Sequence, residues 1–267
     1  MPNGEKESSF QGEIDSIADK INRDLRKIDE GRAIITSEQA LLPDKPEGAD
    51  IAGLIDHTLL LTQYKPDDVV RGCDEALKYG FATVCVNPIY VPLVVERLQG
   101  SQVKPASVVG FVFGAEFPEI KVEQASHLIA AGVDELDVVM AVGLLKAGQY
   151  FNVAMDLKGV IDRCHDAGVL LKVILETGLL TMEEKIAATM ISKHVGADYV
   201  KTCTGFAPGE ATVEDIELMR RVAGTSIGVK AAGGVRSYEK ALAMVEAGAS
   251  RIGATQGVRI TESAMQS

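Results

Sequence analysis

The chain has no tryptophan, and aromatic residues make up only 5% of its 267 positions. Its four cysteines, Cys73, Cys85, Cys164 and Cys203, form no CxxC pair, and the histidines His57, His127, His165 and His194 are scattered. A zinc site needs such ligands at short fixed spacings, so no metal is expected. The cysteines are expected as free thiols in a reducing compartment. No N-terminal run is apolar enough for a signal peptide, and no stretch of 18 apolar residues offers a membrane span, which points to the cytoplasm. Positive charge is also scarce. A formal net charge of −11 argues against nucleic acid or an anionic membrane as the main partner. A small anion in a local positive pocket remains compatible with that surface. No GxGxxG follows the first strand-like segment, which weakens a doubly wound dinucleotide fold.

What is present is enough for one large core: 46% of the residues are hydrophobic and 24% charged. Residues 1–48 stand apart as a polar extension. Within it Ile14, Ile17, Ala18, Ile21, Leu25 and Ile28 recur at the spacing of one helix face. Ser37 and Glu38 open a second short helix ahead of Pro43, and 43–49 reads as a linker. A striped helix must cover apolar surface, and the floor of the main domain is the first expectation, a subunit contact the second.

The main domain, 49–267, alternates short β-branched runs with longer stretches of helical period. The runs fall at 51–56, 82–87, 107–112, 135–140, 171–176, 199–204, 227–232 and 251–255. Thr181, Thr212 and Ser237 are placed as helix N-caps, and Gly80, Gly132, Gly196 and Gly248 as helix stops. Eight strands with seven intervening helices over ~215 residues fit a closed (β/α)8 TIM barrel.

Lys172, Lys201 and Lys230 each sit inside a strand-like run, 29 residues apart each time. One βα unit is about that long, so the three are expected at equivalent places on strands 5, 6 and 7, about 4.8 Å from one strand to the next. Outward snorkelling beneath the helices is the alternative for any one of them. Converging ammonium groups in a dry interior favour a neutral amine, which attacks a carbonyl and forms a Schiff base. A free lysine, with a pKa of about 10.4, offers almost none of that form at neutral pH. Asp137, between apolar neighbours on strand 4, is a candidate proton carrier or a structural ion-pair partner of these lysines. Asp56, His57 and Thr58 on strand 1 and Glu176 on strand 5 are further polar groups of interest.

Strand 7 runs into Ala231-Ala232-Gly233-Gly234-Val235-Arg236 just before a helix. Barrel enzymes hold phosphate beside the loops after strands 7 and 8, near a helix N-terminus. Two glycines allow close backbone approach there, and Arg236 adds a fixed positive charge.

These residues resemble deoxyribose-phosphate aldolase, a class I aldolase family of the TIM-barrel type. The resemblance runs from about Ile51 to Gly257. It rests on Ile55–Leu60 (IDHTLL), Val84–Pro92 (VCVNPIYVP), Asp134–Met140 (DELDVVM), Leu171–Thr177 (LKVILET), Val200–Phe206 (VKTCTGF), Gly209–Asp215 with Glu210 standing inside the motif, and Val229–Arg236 (VKAAGGVR). The resemblance implies Lys201 as the Schiff-base lysine, Lys230 as the cation that favours its neutral form, and Asp137 as proton relay. Asp56, Thr58, Cys85, Lys172 and Thr204 would line the substrate channel. Gly205, Gly233, Gly234, Val235, Arg236, Gly253, Thr255 and Gln256 would surround a phosphate. The implied reaction is reversible cleavage of 2-deoxyribose 5-phosphate to acetaldehyde and glyceraldehyde 3-phosphate. It needs no cofactor, because the imine withdraws the electrons, and its partners are small aldehydes and sugar phosphates. A homo-oligomer, dimer or tetramer, is expected.

The family's usual pair of serines after strand 8 is replaced here by Thr255 and Gln256, its Gly-Phe-Pro by Gly110-Phe111-Val112, and its Lys-Thr-Ser-Thr by Lys201-Thr202-Cys203-Thr204. An asparagine common after strand 4 is Ala141, and Thr62 follows Leu60-Leu61 where a lysine is common. These departures leave two alternatives: another lysine-dependent barrel aldolase or transaldolase with a different acceptor or phosphate preference, and a sugar-phosphate-binding barrel without chemistry.

Overall fold

The computed structural model describes residues 2–25 and 48–266. Eight parallel strands close into a barrel in sequence order: β1 (Ile55–Leu59), β2 (Thr83–Val86), β3 (Lys104–Val109), β4 (Glu135–Val139), β5 (Leu170–Ile174), β6 (Tyr199–Lys201), β7 (Gly228–Ala232) and β8 (Arg251–Ala254). Closure is made by β1 on β8, where Asp56 lies opposite Gly253. The architecture is the (β/α)8 barrel. An outer ring of helices comprises α2 (Pro66–Tyr79), α3 (Val91–Leu98), α4 (Pro118–Ala130), α6 (Tyr150–His165), α7 (Met182–His194), α8 (Val213–Ala223), α9 (Tyr238–Glu246) and α10 (Gly257–Ala264), with a short α5 (Val142–Lys146) before α6.

The helices begin and end where local chemistry directs. Thr181, Thr212 and Ser237 each accept a backbone N–H at the third helical position, from Glu184, Asp215 and Lys240. Gly80, Gly132, Gly196 and Gly248 all turn through positive φ at the helix ends. Gly148, at φ +68°, separates the short α5 from α6, which begins at Tyr150. The expected first strand at 51–56 begins later: Gly48–Leu54 winds as a 3-10 turn before β1. The expected third strand at 107–112 is shifted toward its N-terminus, since Gly110 at φ +61° ends the pairing.

Between barrel and helices lies the main core, formed by outward-facing strand residues such as Val84, Val138, Val173, Val200 and Val229 packed on the helix faces. A separate small cluster of Leu60, Cys85, Ala106 and Val108 lies inside the barrel on the β2–β3 side. The barrel interior is therefore divided, with apolar groups on one wall and, as shown below, charges on the others.

The helix α1 (Pro2–Leu25) buries Ile14, Ile17, Ala18, Ile21 and Leu25, the stripe read from the sequence. It packs against α6 and α7 on the outer wall of the barrel, in place of the expected floor. Lys20 reaches Glu183 at 3.5 Å and lies 5.5 Å from the centroid of the Tyr150 ring, marking the two helices it bridges. Ile28, Ser37, Glu38 and Pro43, and with them the second helix and most of the linker segment, lie outside the described residues.

Replacing Ile21→Asp puts an unpaired carboxylate into this seam and is expected to cost about 3 kcal/mol in urea unfolding. Ser16→Asp on the exposed face should stay within about 0.5 kcal/mol of wild type. Equal stabilities for the two variants would show that α1 does not dock.

Candidate active site

The three lysines do point inward. Each is buried, at 0%, 3% and 1% relative exposure for Lys172, Lys201 and Lys230, and all three reach one carboxylate. Lys172 Nζ donates to Asp137 Oδ1 at 3.0 Å, while Lys201 Nζ and Lys230 Nζ each donate to Asp137 Oδ2 at 2.8 Å. Lys230 also pairs with Asp56. Lys172 makes a second ion pair with Glu135 Oε2 at 2.6 Å. Arg251 closes the deep end, 2.6 Å from Asp56 Oδ1 and 3.0 Å from Glu135 Oε2.

Strand register explains the convergence. Aligned residues on neighbouring parallel strands face the same side of the sheet, and residues two apart on one strand share a face. Asp137 pairs with Lys172, Lys172 with Tyr199, and Lys201 with Lys230. Lys201 and Lys230 are thus direct neighbours. Lys172 is not in step with them: it stands opposite Tyr199, two residues before Lys201. The equal sequence spacing expected equivalent places, but the β5–β6 connection offsets the pairing. Lys172 therefore belongs to the deep ion cluster with Glu135 and Arg251.

The charge states follow from these contacts. Burial alone pushes the Asp137 carboxyl up, but Lys172, Lys201 and Lys230 overcome it and hold the group well below the usual carboxylate range. For Asp56, too, burial works upward and loses to Lys230, Lys172 and Arg251. Burial pulls Lys230 and Lys172 down, yet Asp137 and Asp56 outweigh it and leave both above the ordinary lysine value. Lys230 is a fixed cation.

Above this network opens a cleft of about 240 Å³ lined by Thr58, Leu60, Lys201, Thr204, Phe206 and Ala232, together with the Gly233–Arg236 turn, Gly205, Gly253 and Thr255. Lys201 is the one lysine of the three that reaches it. Gly233 and Gly234 adopt φ of +96° and +74°, open to glycine at little cost. Phe206 meets Phe111 edge-on at 5.4 Å between centroids, forming part of the rim. The β6 end is braced from two sides. Thr202 Oγ1 donates to the Ala232 carbonyl at 2.6 Å and accepts from the Ala232 N–H at 2.9 Å. The buried Glu176 carboxylate accepts the Thr204 N–H at 3.2 Å, with Glu176 itself held at φ +60°. A non-glycine residue in that region signals local strain.

Of the residues singled out from the sequence, Lys201, Thr58, Thr204, Gly205, Gly233, Gly234, Val235, Arg236, Gly253 and Thr255 come together around the cleft. Asp137, Lys230, Asp56 and Lys172 lie beneath it in the ion network. Cys85 sits in the apolar wall, its thiol pushed by burial up to about 11, so it is a small neutral group there. Gln256 is exposed at the start of α10 and is not among the cleft residues. His57 turns outward to Glu75 at 2.9 Å. Glu135 and Arg251 escaped the sequence reading, although each stands two residues from a position already identified as inward, Asp137 and Gly253. Among the described residues no group of three His, Cys, Asp or Glu side chains is placed to hold a metal, and no helix is long and apolar enough to cross a membrane.

Residues 51–266 match the model of the DeoC/LacD family aldolase. A deoxyribose-phosphate aldolase of Thermococcus gammatolerans is 52% identical over 81% of this chain and 97% of its own. One of Caldanaerobacter subterraneus is 50% identical over 80% of this chain and 93% of its own. Among solved structures, a provisionally assigned deoxyribose-phosphate aldolase from Coccidioides immitis superimposes with a TM-score of 0.82 at 38% identity, covering 94% of this chain and 97% of the other. A tetrameric deoxyribose phosphate aldolase from Aeropyrum pernix gives 0.74 at 29% identity, over 92% and 97%.

Asp137→Asn removes the charge shared by three ammonium groups and is expected to destabilise the fold by about 3–5 kcal/mol in urea unfolding. Acid should act in the same direction. A carboxyl whose folded pKa is depressed contributes its stability above the unfolded value of 3.8 and loses it only as pH falls below that. A loss under about 1 kcal/mol for Asp137→Asn would mean that the lysines do not depend on this carboxylate.

Proposed function

The chain belongs to the DeoC/LacD family of aldolases, and on that footing we propose that it reversibly cleaves 2-deoxyribose 5-phosphate to acetaldehyde and glyceraldehyde 3-phosphate through a Schiff base on Lys201. The observation that carries the assignment of the nucleophile is the distribution of carboxylates. Among the described residues Lys172 has three within 4 Å and Lys230 two, whereas Lys201 has Asp137 alone. The linked network joins four cationic side chains, Lys172, Lys201, Lys230 and Arg251, to three carboxylates, Asp56, Glu135 and Asp137. Lys201 thus combines access to the cleft with the fewest anionic partners, which makes it the amine best placed to meet a carbonyl.

In the cleavage direction the neutral amine of Lys201 adds to the open-chain C1 aldehyde, and loss of water leaves an iminium. The 3-hydroxyl then gives up its proton. The electron pair of the O–H bond becomes the new carbonyl of glyceraldehyde 3-phosphate, the C2–C3 pair moves into a C1–C2 double bond, and nitrogen accepts the displaced pair. Protonation at C2 and hydrolysis free acetaldehyde and restore the amine. Asp137, hydrogen-bonded to Lys201 and Lys230 through one oxygen, passes protons through water rather than as a direct strong base, because its neighbours keep it ionised. The apolar wall of Leu60, Cys85, Ala106 and Val108 suits the methyl end of acetaldehyde. The Gly233–Arg236 turn, Gly205, Gly253 and Thr255 suit the phosphate, aided by the N-terminus of α9. Asp56 and Lys172 act in this scheme by fixing Lys230 and Asp137 from below.

We further place the protein in the cytoplasm, where four buried thiols stay reduced, as a homo-oligomer, dimer or tetramer. The tetrameric Aeropyrum pernix relative supports the latter point. A barrel that only binds sugar phosphates has no use for an amine with a single anionic partner.

Borohydride reduction in the presence of acetaldehyde should leave an ethyl group on Lys201, read by peptide mass spectrometry, and Lys201→Ala should abolish both the adduct and turnover. An adduct on another lysine would move the nucleophile. Lys230→Met should lower kcat about 100-fold or more and slow adduct formation on Lys201, since the second donor to the shared Asp137 oxygen is gone. Unchanged rates for both would deny Lys230 a part in the reaction.

A further inference from the structure

Beside the Gly233–Arg236 turn stands a negative charge of the chain's own. Glu210 stands between β6 and α8, and its carboxyl group folds against Gly234, where a Cβ would collide with it. One oxygen accepts from Lys240 Nζ at 2.8 Å and the other faces Arg236 Nη2 at 3.4 Å. The hydrogen bond and charge of Lys240 hold this carboxyl below the ordinary glutamate value, so it is ionised at neutral pH. Gly234 and Arg236 both line the cleft above Lys201. Lys240 lies in the first turn of α9, the helix that Ser237 caps beside the same turn. A phosphate seated on Gly233–Arg236 would meet the Glu210 carboxylate and find both nearby cations engaged.

The loop does not need this charge to hold its shape. The Ala211 N–H donates to the Gly233 carbonyl at 2.9 Å, and Thr212 caps α8. The Glu210 side chain itself is 48% exposed, free to swing toward solvent. Its effect therefore falls on whatever anion competes for Arg236 and Lys240.

We propose that Glu210 is a built-in competitor for the substrate's phosphate group, a specificity-determining residue that must release Arg236 and Lys240 before a phosphorylated sugar is held. This inference rests on the reading of the cleft as a sugar-phosphate site. Glu210 lowers the preference for phosphorylated over unphosphorylated sugars, because only the former must displace it. Like charges brought together at a binding surface are a recurrent means of rejecting a ligand.

The test uses the full chain and the variants Glu210→Gln and Glu210→Ala. Inorganic phosphate binding is measured by calorimetry, and kcat/KM is measured for 2-deoxyribose 5-phosphate and for 2-deoxyribose. Both variants are expected to bind phosphate about tenfold more tightly, and the phosphorylated-to-unphosphorylated ratio of kcat/KM is expected to rise by a similar factor, mainly through KM. Phosphate binding that is unchanged or weaker in both variants overturns the proposal even if the wild type cleaves the sugar phosphate. Tighter phosphate binding in variants of a protein that cleaves neither sugar upholds the competitor role and sinks the assigned reaction instead.

Discussion

One carboxylate, that of Asp137, accepts hydrogen bonds from three ammonium groups inside a closed ring of strands. The charged part of the lumen is arranged around that contact. Taking four cations and three anions out of water is costly, and attraction among them repays it only when every group finds partners at short range. The network meets that demand by alternation: Arg251 between Asp56 and Glu135, Lys172 between Glu135 and Asp137, Lys230 between Asp56 and Asp137. Lys201 is attached at one point and faces the cleft. The fold thus separates two lysines held between carboxylates from one with a single partner at the cleft, with no difference in residue type among them.

Much of this was legible before any coordinates. A lysine inside a β-branched run must find a partner or lose its proton, so three of them in successive βα units already implied a shared inward site. Asp137 was legible for the same reason. Lys172 was misplaced by two residues because strand pairing depends on the shape of the connection as well as its length. Glu135 and Arg251 carried the period-two signal that would have found them, but each lies near the start of its strand, where a charged residue reads equally well as surface. Glu210 left no periodic signal at all: it is one acid in a loop, and it meets Gly234, Arg236 and Lys240, which are remote in sequence.

The N-terminal helix shows a different limit. The stripe from Ile14 to Leu25 declared that one face had to be covered, and the structure buries it. Periodicity says nothing about which surface does the covering. The helix lies across α6 and α7, whose N-terminal ends supply Tyr150 and Glu183 to its Lys20. Those helices follow β4 and β5, the strands that carry Asp137 and Lys172, so α1 covers that side of the barrel.

The lumen is also lopsided, with Leu60, Cys85, Ala106 and Val108 on one wall and the ion network on the others. An enamine tethered to Lys201 would turn its hydrocarbon edge to the first and its nitrogen to the second, leaving a single π-face toward the opening. The terminal CH2 of that enamine would form no stereocentre, since the new centre arises at the carbonyl carbon of the incoming aldehyde. Handedness would then follow from the face which the two unlike walls let that aldehyde present.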